Sequence, residues 1–276
     1  MHARRAHTAV AAVAACLVAL GSAAAAQAAR HPPPGYGILD TNQMDAPQDQ
    51  QTRGSAQCPA GTVPFGGGVV VSSPSTLANV SASFPEGPFW VGIVSNDSGA
   101  DTTFQIEVEC AKRPPGYEVV QSDLVLNPEG FQSSVLATCP AGTRPLGGGG
   151  ESTSPSVFTN INSTGPQGRS WFVTEDNASG ADAALEAFAV CGTLHNYRVV
   201  NGHSFALPAD GQGHGVVACP APSVATGGGV SSASSSVGVN VIGSVPVGIG
   251  GRWSAFVNDF TAFPATATAL AVCATR

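Results

Sequence analysis

Residues 58–68 of this chain read CPAGTVPFGGG. The same phrase returns at residues 139–149 as CPAGTRPLGGG and, with changes, at residues 219–229 as CPAPSVATGGG. Self-similarity at a fixed spacing is the sequence signature of a repeat architecture. The three phrases therefore predict three structurally equivalent units of about 80 residues.

Further landmarks keep the same spacing. Each unit begins near a tyrosine, contains one tryptophan, and ends on a second cysteine 20 residues after that tryptophan. The tyrosines are Tyr36, Tyr117 and Tyr197, the tryptophans are Trp90, Trp171 and Trp253, and the closing cysteines are Cys110, Cys191 and Cys273. The units predicted in this way are residues 35–115, 116–195 and 196–276, preceded by a linker at 29–34.

Residues 1–28 have the composition of a secretory signal peptide. A basic start with Arg4 and Arg5 precedes a short apolar run, and the small residues at 26 and 28 are typical of a cleavage site. No stretch reaches the roughly 18 apolar residues that a transmembrane helix needs. We predict a secreted, extracellular protein. The alternative is a lipid anchor on Cys16, which lies in a lipoprotein-like sequence.

The mature chain is acidic. Without Arg4 and Arg5 it keeps 9 of its 11 basic residues against 18 acidic ones, so its net charge is about −9, and Lys112 is its only lysine. Such a balance lacks the positive surface pattern of proteins that bind nucleic acid or anionic membranes. The hydrophobic content of 43% is ample for a core, which argues against a disordered chain.

Six cysteines remain after the predicted signal is removed, and an even number in an oxidising compartment indicates three disulfides. Six cysteines allow 15 pairings, of which the repeat favours one, because a unit that recurs should carry its own bridge. The predicted bridges are Cys58–Cys110, Cys139–Cys191 and Cys219–Cys273. The alternative links neighbouring units through Cys110–Cys139 and Cys191–Cys219. No Cys-x2-Cys pair or Cys/His cluster points to a metal site.

The segment before each closing cysteine alternates with period two. In the first unit Phe104, Ile106 and Val108 share one face with the cysteine, and the other units repeat this apolar face. The alternation predicts a half-buried strand with the cysteine on its core side. The aromatic and β-branched segment at each tryptophan predicts another strand. Turn residues, as at 96–101, separate the two, so we expect them to form a hairpin.

The predicted fold class is all-β, with five or six short strands per unit. In the second unit, further strands are expected at 117–126, 133–138 and 157–163. Because the links between units are short, we expect the three units to pack around a pseudo-threefold axis in a β-prism-like or trefoil-like body. Three tandem β-sandwiches are the alternative, since a sandwich of about 80 residues is small but feasible.

The three glycine runs need an explanation, because three consecutive glycines weaken a strand. Their presence in all three units predicts a close approach. Two structural explanations are open: the tryptophan of each unit covers its glycine strand, or the three glycine strands converge on the axis. The functional alternative is a glycine-floored groove in which Trp90, Trp171 and Trp253 serve as ligand-stacking platforms for a sugar.

The pattern CPAG-x-x-P-[L/F]-GGG, followed by a tryptophan strand and an apolar strand that ends in cysteine, resembles a motif of uncharacterised exported proteins of actinobacteria. The resemblance covers the whole mature chain, and the third copy departs from it at residues 221–223. It implies no established activity, cofactor or site. A threefold likeness to vitelline membrane outer layer proteins is architectural only.

No pattern of catalytic residues stands out, since the chain has neither a G-x-S-x-G elbow nor an H-E-x-x-H sequence nor a P-loop. We predict a secreted, non-enzymatic β-repeat protein without a cofactor, which binds a glycan or another cell-surface polymer or forms a coat. The alternative is a secreted hydrolase or hydrolase inhibitor. Its site is expected in the divergent third unit, at His203 or His214. The oligomeric state is left open.

Overall fold

A computed structural model describes residues 29–249 and 251–276. The predicted signal peptide, and with it Cys16, lies outside the described residues. The described chain forms 20 β-strands and no helix, arranged in three antiparallel sheets. The predicted all-β fold class is therefore confirmed.

The described strands follow the three units. The first unit holds β1 (Gly37–Asp40), β2 (Met44–Ala46), β3 (Gln50–Gln57), β4 (Val63–Val71), β5 (Ala78–Glu86), β6 (Phe89–Asn96) and β7 (Thr102–Ala111). The second holds β8 (Glu118–Gln121), β9 (Val125–Asn127), β10 (Gln132–Thr138), β11 (Arg144–Ser152), β12 (Thr159–Gln167), β13 (Ser170–Asn177) and β14 (Ala183–Gly192). The third holds β15 (His195–Leu207), β16 (Gly211–Ala218), β17 (Val224–Ser232), β18 (Val239–Val247), β19 (Arg252–Asp259) and β20 (Ala265–Thr275).

The prediction of five or six strands per unit is too low for the first two units. Their first strand is broken into two short pieces, whereas the third unit keeps it continuous as β15. The strand expected at 117–126 is accordingly two strands, β8 and β9. Pieces of three or four residues are too short to show a periodic pattern of their own.

Each sheet is built from two units. Sheet 1 has the order β1-β7-β4-β18-β19-β16, with β2 also on β7, and joins the first unit to the third. Sheet 2 has the order β3-β6-β5-β11-β14-β8, with β9 also on β14, and joins the first to the second. Sheet 3 has the order β10-β13-β12-β17-β20-β15 and joins the second to the third.

In every unit, the strands next to the closing cysteine strand belong to one sheet, and the strands next to the tryptophan strand belong to another. The three units close a ring around a pseudo-threefold axis, with β4, β11 and β17 beside that axis. The alternative of three tandem sandwiches, each complete in itself, is wrong, because no sheet belongs to a single unit.

The predicted hairpin between the tryptophan strand and the closing strand is also wrong. In the first unit β6 pairs with β3 and β5 in sheet 2, whereas β7 pairs with β1, β2 and β4 in sheet 1. The turn between them carries the chain from one sheet to the other. Asn96 fixes it by donating from its side-chain amide to the carbonyls of Ala46 at 2.8 Å and Ala100 at 2.9 Å.

The two half-sheets of a unit face each other around a disulfide. The bridges are the predicted ones: Cys58–Cys110, Cys139–Cys191 and Cys219–Cys273. Each bridge joins the end of a strand in one sheet to the closing strand in the other, because Cys58 follows β3 and Cys110 lies on β7. The predicted apolar face of Phe104, Ile106 and Val108 is fully buried in this core.

Both structural explanations of the glycine runs hold. The first glycines of the runs meet at the axis: a Cβ on Gly66 would lie 2.7 Å from Cα of Gly227, and one on Gly227 would lie 2.7 Å from Cα of Gly147. The second glycine of each run lies against its own tryptophan, as a Cβ on Gly67 would lie 2.6 Å from the Trp90 ring. Neither position has room for a side chain.

Hydrogen bonds from repeated residues tie each unit to its neighbours. At one end of the axis each landmark tyrosine hydroxyl donates to a carbonyl two residues before the first glycine of another unit. The pairs are Tyr36 to Ala225 at 2.7 Å, Tyr117 to Pro64 at 2.9 Å and Tyr197 to Pro145 at 3.1 Å. At the other end Gln51 donates to the carbonyl of Ser156 at 2.8 Å, Gln132 to that of Ser234 at 3.3 Å and Gln212 to that of Ser75 at 3.3 Å.

A candidate binding groove on sheet 1

The glycine strands β4, β11 and β17 lie at the middle of the three sheets and meet at the axis. Sheet 1 carries a cavity over its middle strands. We name the outer face at the middle of each sheet groove 1, groove 2 and groove 3 after the sheets. Their backbones are equivalent, so their side chains distinguish them.

Groove 1 contains a cavity of about 500 Å³. Its polar side chains are Glu107 on β7, His214 on β16, and Arg252 and Ser254 on β19. Val70 and Phe256 are among its apolar residues. A recess of about 210 Å³ adjoins it and shares Val70, His214 and Phe256. The two together form one continuous depression, in the size range of sites for small ligands.

His214 is held on one side of groove 1 by its strand neighbours. Its Nε2 lies 2.7 Å from the hydroxyl of Ser254, and its ring stacks on Phe256 with centroids 4.3 Å apart. The register explains both contacts, since His214 lies opposite Phe256 and Ser254 lies two residues away on the same face of β19. Ser254 is buried, whereas the imidazole is exposed and accessible from the groove.

Glu107 lies on the other half of sheet 1, on β7. Burial and, to a lesser extent, the neighbouring carboxylate of Asp40 raise the pKa of Glu107 to about 7. The carboxyl therefore holds a proton for part of the time at neutral pH, and it offers both a hydrogen-bond donor and an acceptor. Its partner on β4 is Gly68, so no side chain of that residue screens it from the groove.

Groove 2 has the same frame and different chemistry. Phe188 takes the place of Glu107, counted from the closing cysteine, and Arg53 takes the place of His214, counted from the opening one. Phe188 stacks on Phe84 with ring centroids 4.9 Å apart, and Arg53 pairs with Glu86 at 2.8 Å. Phe188 and Arg53 are thus each engaged by a neighbour. Groove 2 also carries a pair of carboxyls, since burial and the neighbouring Glu186 raise the pKa of Glu151 to about 7.

Groove 3 is the least polar at these two positions. Leu270 replaces Glu107 and Ser134 replaces His214. The leucine packs close to Phe172, since a Cβ on Gly165 would lie 2.6 Å from Leu270 and 3.2 Å from the Phe172 ring. Groove 1 is therefore the groove in which these positions carry an ionisable carboxyl and an imidazole.

The three tryptophans predicted as ligand-stacking platforms are fully buried. Each indole N–H donates to a hydroxyl on the neighbouring strand of its own hairpin. The pairs are Trp90–Ser83 at 3.0 Å, Trp171–Thr164 at 2.7 Å and Trp253–Ser244 at 2.8 Å. The stacking prediction is wrong for this structure, because the glycine strand covers the ring and leaves no face for a sugar.

Of the two histidines singled out from the sequence, the structure places one in groove 1. His203 lies on β15 of sheet 3, so it belongs to a different sheet from His214. Sequence reasoning missed Glu107, Arg252 and Ser254 as groove residues. A comparison of the three units at outward-facing positions would have drawn attention to Glu107, since the equivalent residues are apolar in the other units.

Buried carboxyls mark other differences between the units. Glu109 stands where the other units have valine, its Oε1 lies 2.8 Å from the hydroxyl of Tyr36, and burial raises its pKa to about 8. Asp176 accepts hydrogen bonds from Gln132 at 2.7 Å and Asn162 at 3.2 Å, and burial raises its pKa to about 8. Among the described residues, no group of three His, Cys, Asp or Glu is placed to hold a metal ion.

The sequence matches no protein-family model, and a search of curated proteins finds no relative. In the described part of the chain, no helix is long and apolar enough to cross a membrane. The fold is a ring of three disulfide-bridged β units that share their sheets.

Proposed function

We propose that this chain is an exported, non-enzymatic binding protein that holds a glycan of a cell envelope or matrix in groove 1. The observation that carries the proposal is the contrast between equivalent positions of the three sheets. In the described structure sheet 1 carries a carboxyl, Glu107, and an imidazole, His214, at positions that hold other residue types in sheets 2 and 3, and both line a cavity of about 500 Å³. Export is supported by three disulfides, which persist in oxidising compartments.

The lining of groove 1 fits the chemistry of a saccharide. A sugar ring presents hydroxyls that donate and accept hydrogen bonds, and it presents apolar C–H faces. Glu107 offers a donor or an acceptor according to its proton, Arg252 offers donors, and His214 offers an exposed ring nitrogen and ring face. Val70 and Phe256 add apolar surface to the lining of the cavity. Sites of this kind combine an apolar lining with a few convergent polar groups.

The test is retention on a panel of immobilised polysaccharides and on a glycan array. Wild-type protein should bind at least one glycan, and His214→Ala should weaken that binding at least tenfold. His203→Ala is the matched control, because it removes an exposed histidine of the third unit from a different sheet. No retention of the wild type removes the glycan proposal, and equal losses in both variants place the site outside groove 1.

The alternative function is a secreted hydrolase, and one observation favours it. The 2.7 Å contact between Ser254 Oγ and His214 Nε2 has the geometry of a nucleophile and its general base. However, Ser254 is only 4% exposed, and among the described residues no carboxylate forms a hydrogen bond with the imidazole. A fluorophosphonate probe decides between the functions: covalent labelling that Ser254→Ala abolishes supports the hydrolase, and an unlabelled protein argues for binding alone.

A further inference from the structure

A second cavity lies at the end of the axis where the units are joined. Its volume is about 520 Å³, and Pro33, Pro114 and Leu194 are among its lining residues. Each of these residues precedes the landmark tyrosine of its unit by three positions. Since equivalent positions of all three units line the cavity, it lies on the pseudo-threefold axis. We name it the axial cavity; it is separate from groove 1.

The walls of the axial cavity are held by backbone hydrogen bonds. The N–H of Lys112 donates to the carbonyl of Pro34 at 2.8 Å, and the N–H of Thr193 donates to that of Pro115 at 3.0 Å. Pro33 is buried, and the proline rings restrict the backbone around it. The cavity is therefore a preformed space with apolar walls.

The cations of this acidic protein are concentrated at the axial cavity. Lys112, Arg113 and Arg276 line it, together with His195. They are three of the nine Lys and Arg residues that follow the predicted signal, and no Asp or Glu side chain is among its lining residues in the described chain. Arg113 and Arg276 each follow the closing cysteine of their unit by three positions, where the second unit has Leu194.

These cations lack carboxylate partners. In the described part of the chain the ion pair that forms is Arg53–Glu86, far from the axial cavity on sheet 2. The guanidinium of Arg113 lies over the ring of Tyr117, 4.5 Å from its centroid, and this contact orients it. The side chains of Lys112 and Arg113 are exposed and free to meet a ligand.

We propose that the axial cavity binds a small ligand that carries a phosphate group on an apolar body. A guanidinium recognises phosphate through paired N–H donors, and an ammonium adds a point charge. The proline and leucine walls accept the apolar body, and a volume of about 520 Å³ accommodates a molecule the size of an aryl phosphate. The proposal does not depend on groove 1.

The experiment is calorimetric titration of the full chain at pH 7 with phenyl phosphate, inorganic phosphate and benzyl alcohol. Phenyl phosphate should bind more tightly than inorganic phosphate, and benzyl alcohol should not bind. The Lys112→Gln/Arg113→Gln variant should lose at least tenfold in affinity for phenyl phosphate. The matched control is Arg53→Gln/Arg169→Gln, which removes the same charge outside the lining of the axial cavity and of groove 1.

Three results would overturn the proposal: no binding of phenyl phosphate by the wild type, unchanged affinity in the Lys112→Gln/Arg113→Gln variant, or equal losses in that variant and the control. Equal losses would mean that the ligand responds to overall charge or binds elsewhere. Melting curves verify that both variants are folded. Should the double variant fail to fold, Lys112→Gln alone alters an exposed side chain and permits the same comparison.

Discussion

The contact between glycine strands at the axis makes a sharp prediction for Gly66→Ala. A Cβ at this position would lie 2.6 Å from the carbonyl oxygen of Thr226 and 2.7 Å from Cα of Gly227. Both atoms belong to the backbone of the third unit, so neither can rotate away as a flexible side chain would. The added methyl group must instead push two units apart.

The magnitude follows from two opposing terms. A Gly→Ala exchange at an unstrained position stabilises a protein by about 0.4–1 kcal/mol, because the unfolded chain loses freedom. An extra methyl group in a packed interior costs about 1–3 kcal/mol. Since backbone atoms block Gly66→Ala, we expect a loss near the upper limit, about 3 kcal/mol. For a domain of this size that corresponds to a fall in Tm of about 6–12 °C.

The assay is thermal and denaturant unfolding under oxidising conditions, with Gly37→Ala as the matched control. Gly37 lies on β1 with no atom within 4 Å of its added Cβ, so its exchange should leave the Tm unchanged or raise it slightly. Gly147→Ala and Gly227→Ala should behave like Gly66→Ala, because their Cβ atoms meet the backbone of neighbouring units at 2.3 Å and 2.5 Å. A Gly66→Ala protein that melts at or above the wild type would refute the axial contact.

Three further predictions concern stability. Tyr117→Phe removes the hydrogen bond to Pro64 O and should cost about 1 kcal/mol in denaturant unfolding; an unchanged midpoint would show that the bond contributes nothing. Burial raises the pKa of Glu109 from 4.5 to about 8, so the native state retains a proton that the unfolded chain releases. Stability should therefore fall as pH rises from about 5 to 8, and Glu109→Gln should flatten that slope in a series of melts; a slope equal to that of the wild type would contradict this. Removing one bridge with Cys58→Ala/Cys110→Ala opens a loop of 52 residues and should cost about 4 kcal/mol on the chain-entropy model, measured against the oxidised wild type.

The spacing of the repeat was sufficient to predict several features that the structure confirms. Three copies of one pattern constrain each other, so the disulfide partners follow from the requirement that a unit carries its own bridge. The buried face of the closing strand follows from period-two alternation, since successive side chains of a strand point to opposite faces. These properties depend on residues within one unit.

The hairpin predicted between the tryptophan strand and the closing strand shows a limit of prediction from local sequence. The turn at 96–101 has the composition of a hairpin loop, and the same composition serves a crossover between facing sheets. Which strands pair depends on strands beyond the turn, because β6 pairs with β3 and β5 and β7 pairs with β1, β2 and β4. The local sequence pattern is the same for a hairpin and for a crossover between sheets, so it does not distinguish the two.

The sequence did not predict the candidate sites correctly either, because they depend on contacts between strands that are distant in the chain. Trp90 has the residue type of a sugar platform, but a glycine strand of its own unit covers the ring. Glu107 and His214 are 107 positions apart in the sequence, and they line one cavity because sheet 1 joins the first unit to the third.

The sequence by itself determined the three bridges and the core face of the closing strand, and it predicted three repeated units. These are local properties that three copies repeat. Only the tertiary structure decided that neighbouring units share their sheets and that the glycines meet on an axis. It also decided that Glu107 and His214 line one cavity on sheet 1 and that three cations line the axial cavity. Those features arise from contacts between units, whose register and curvature no single copy encodes.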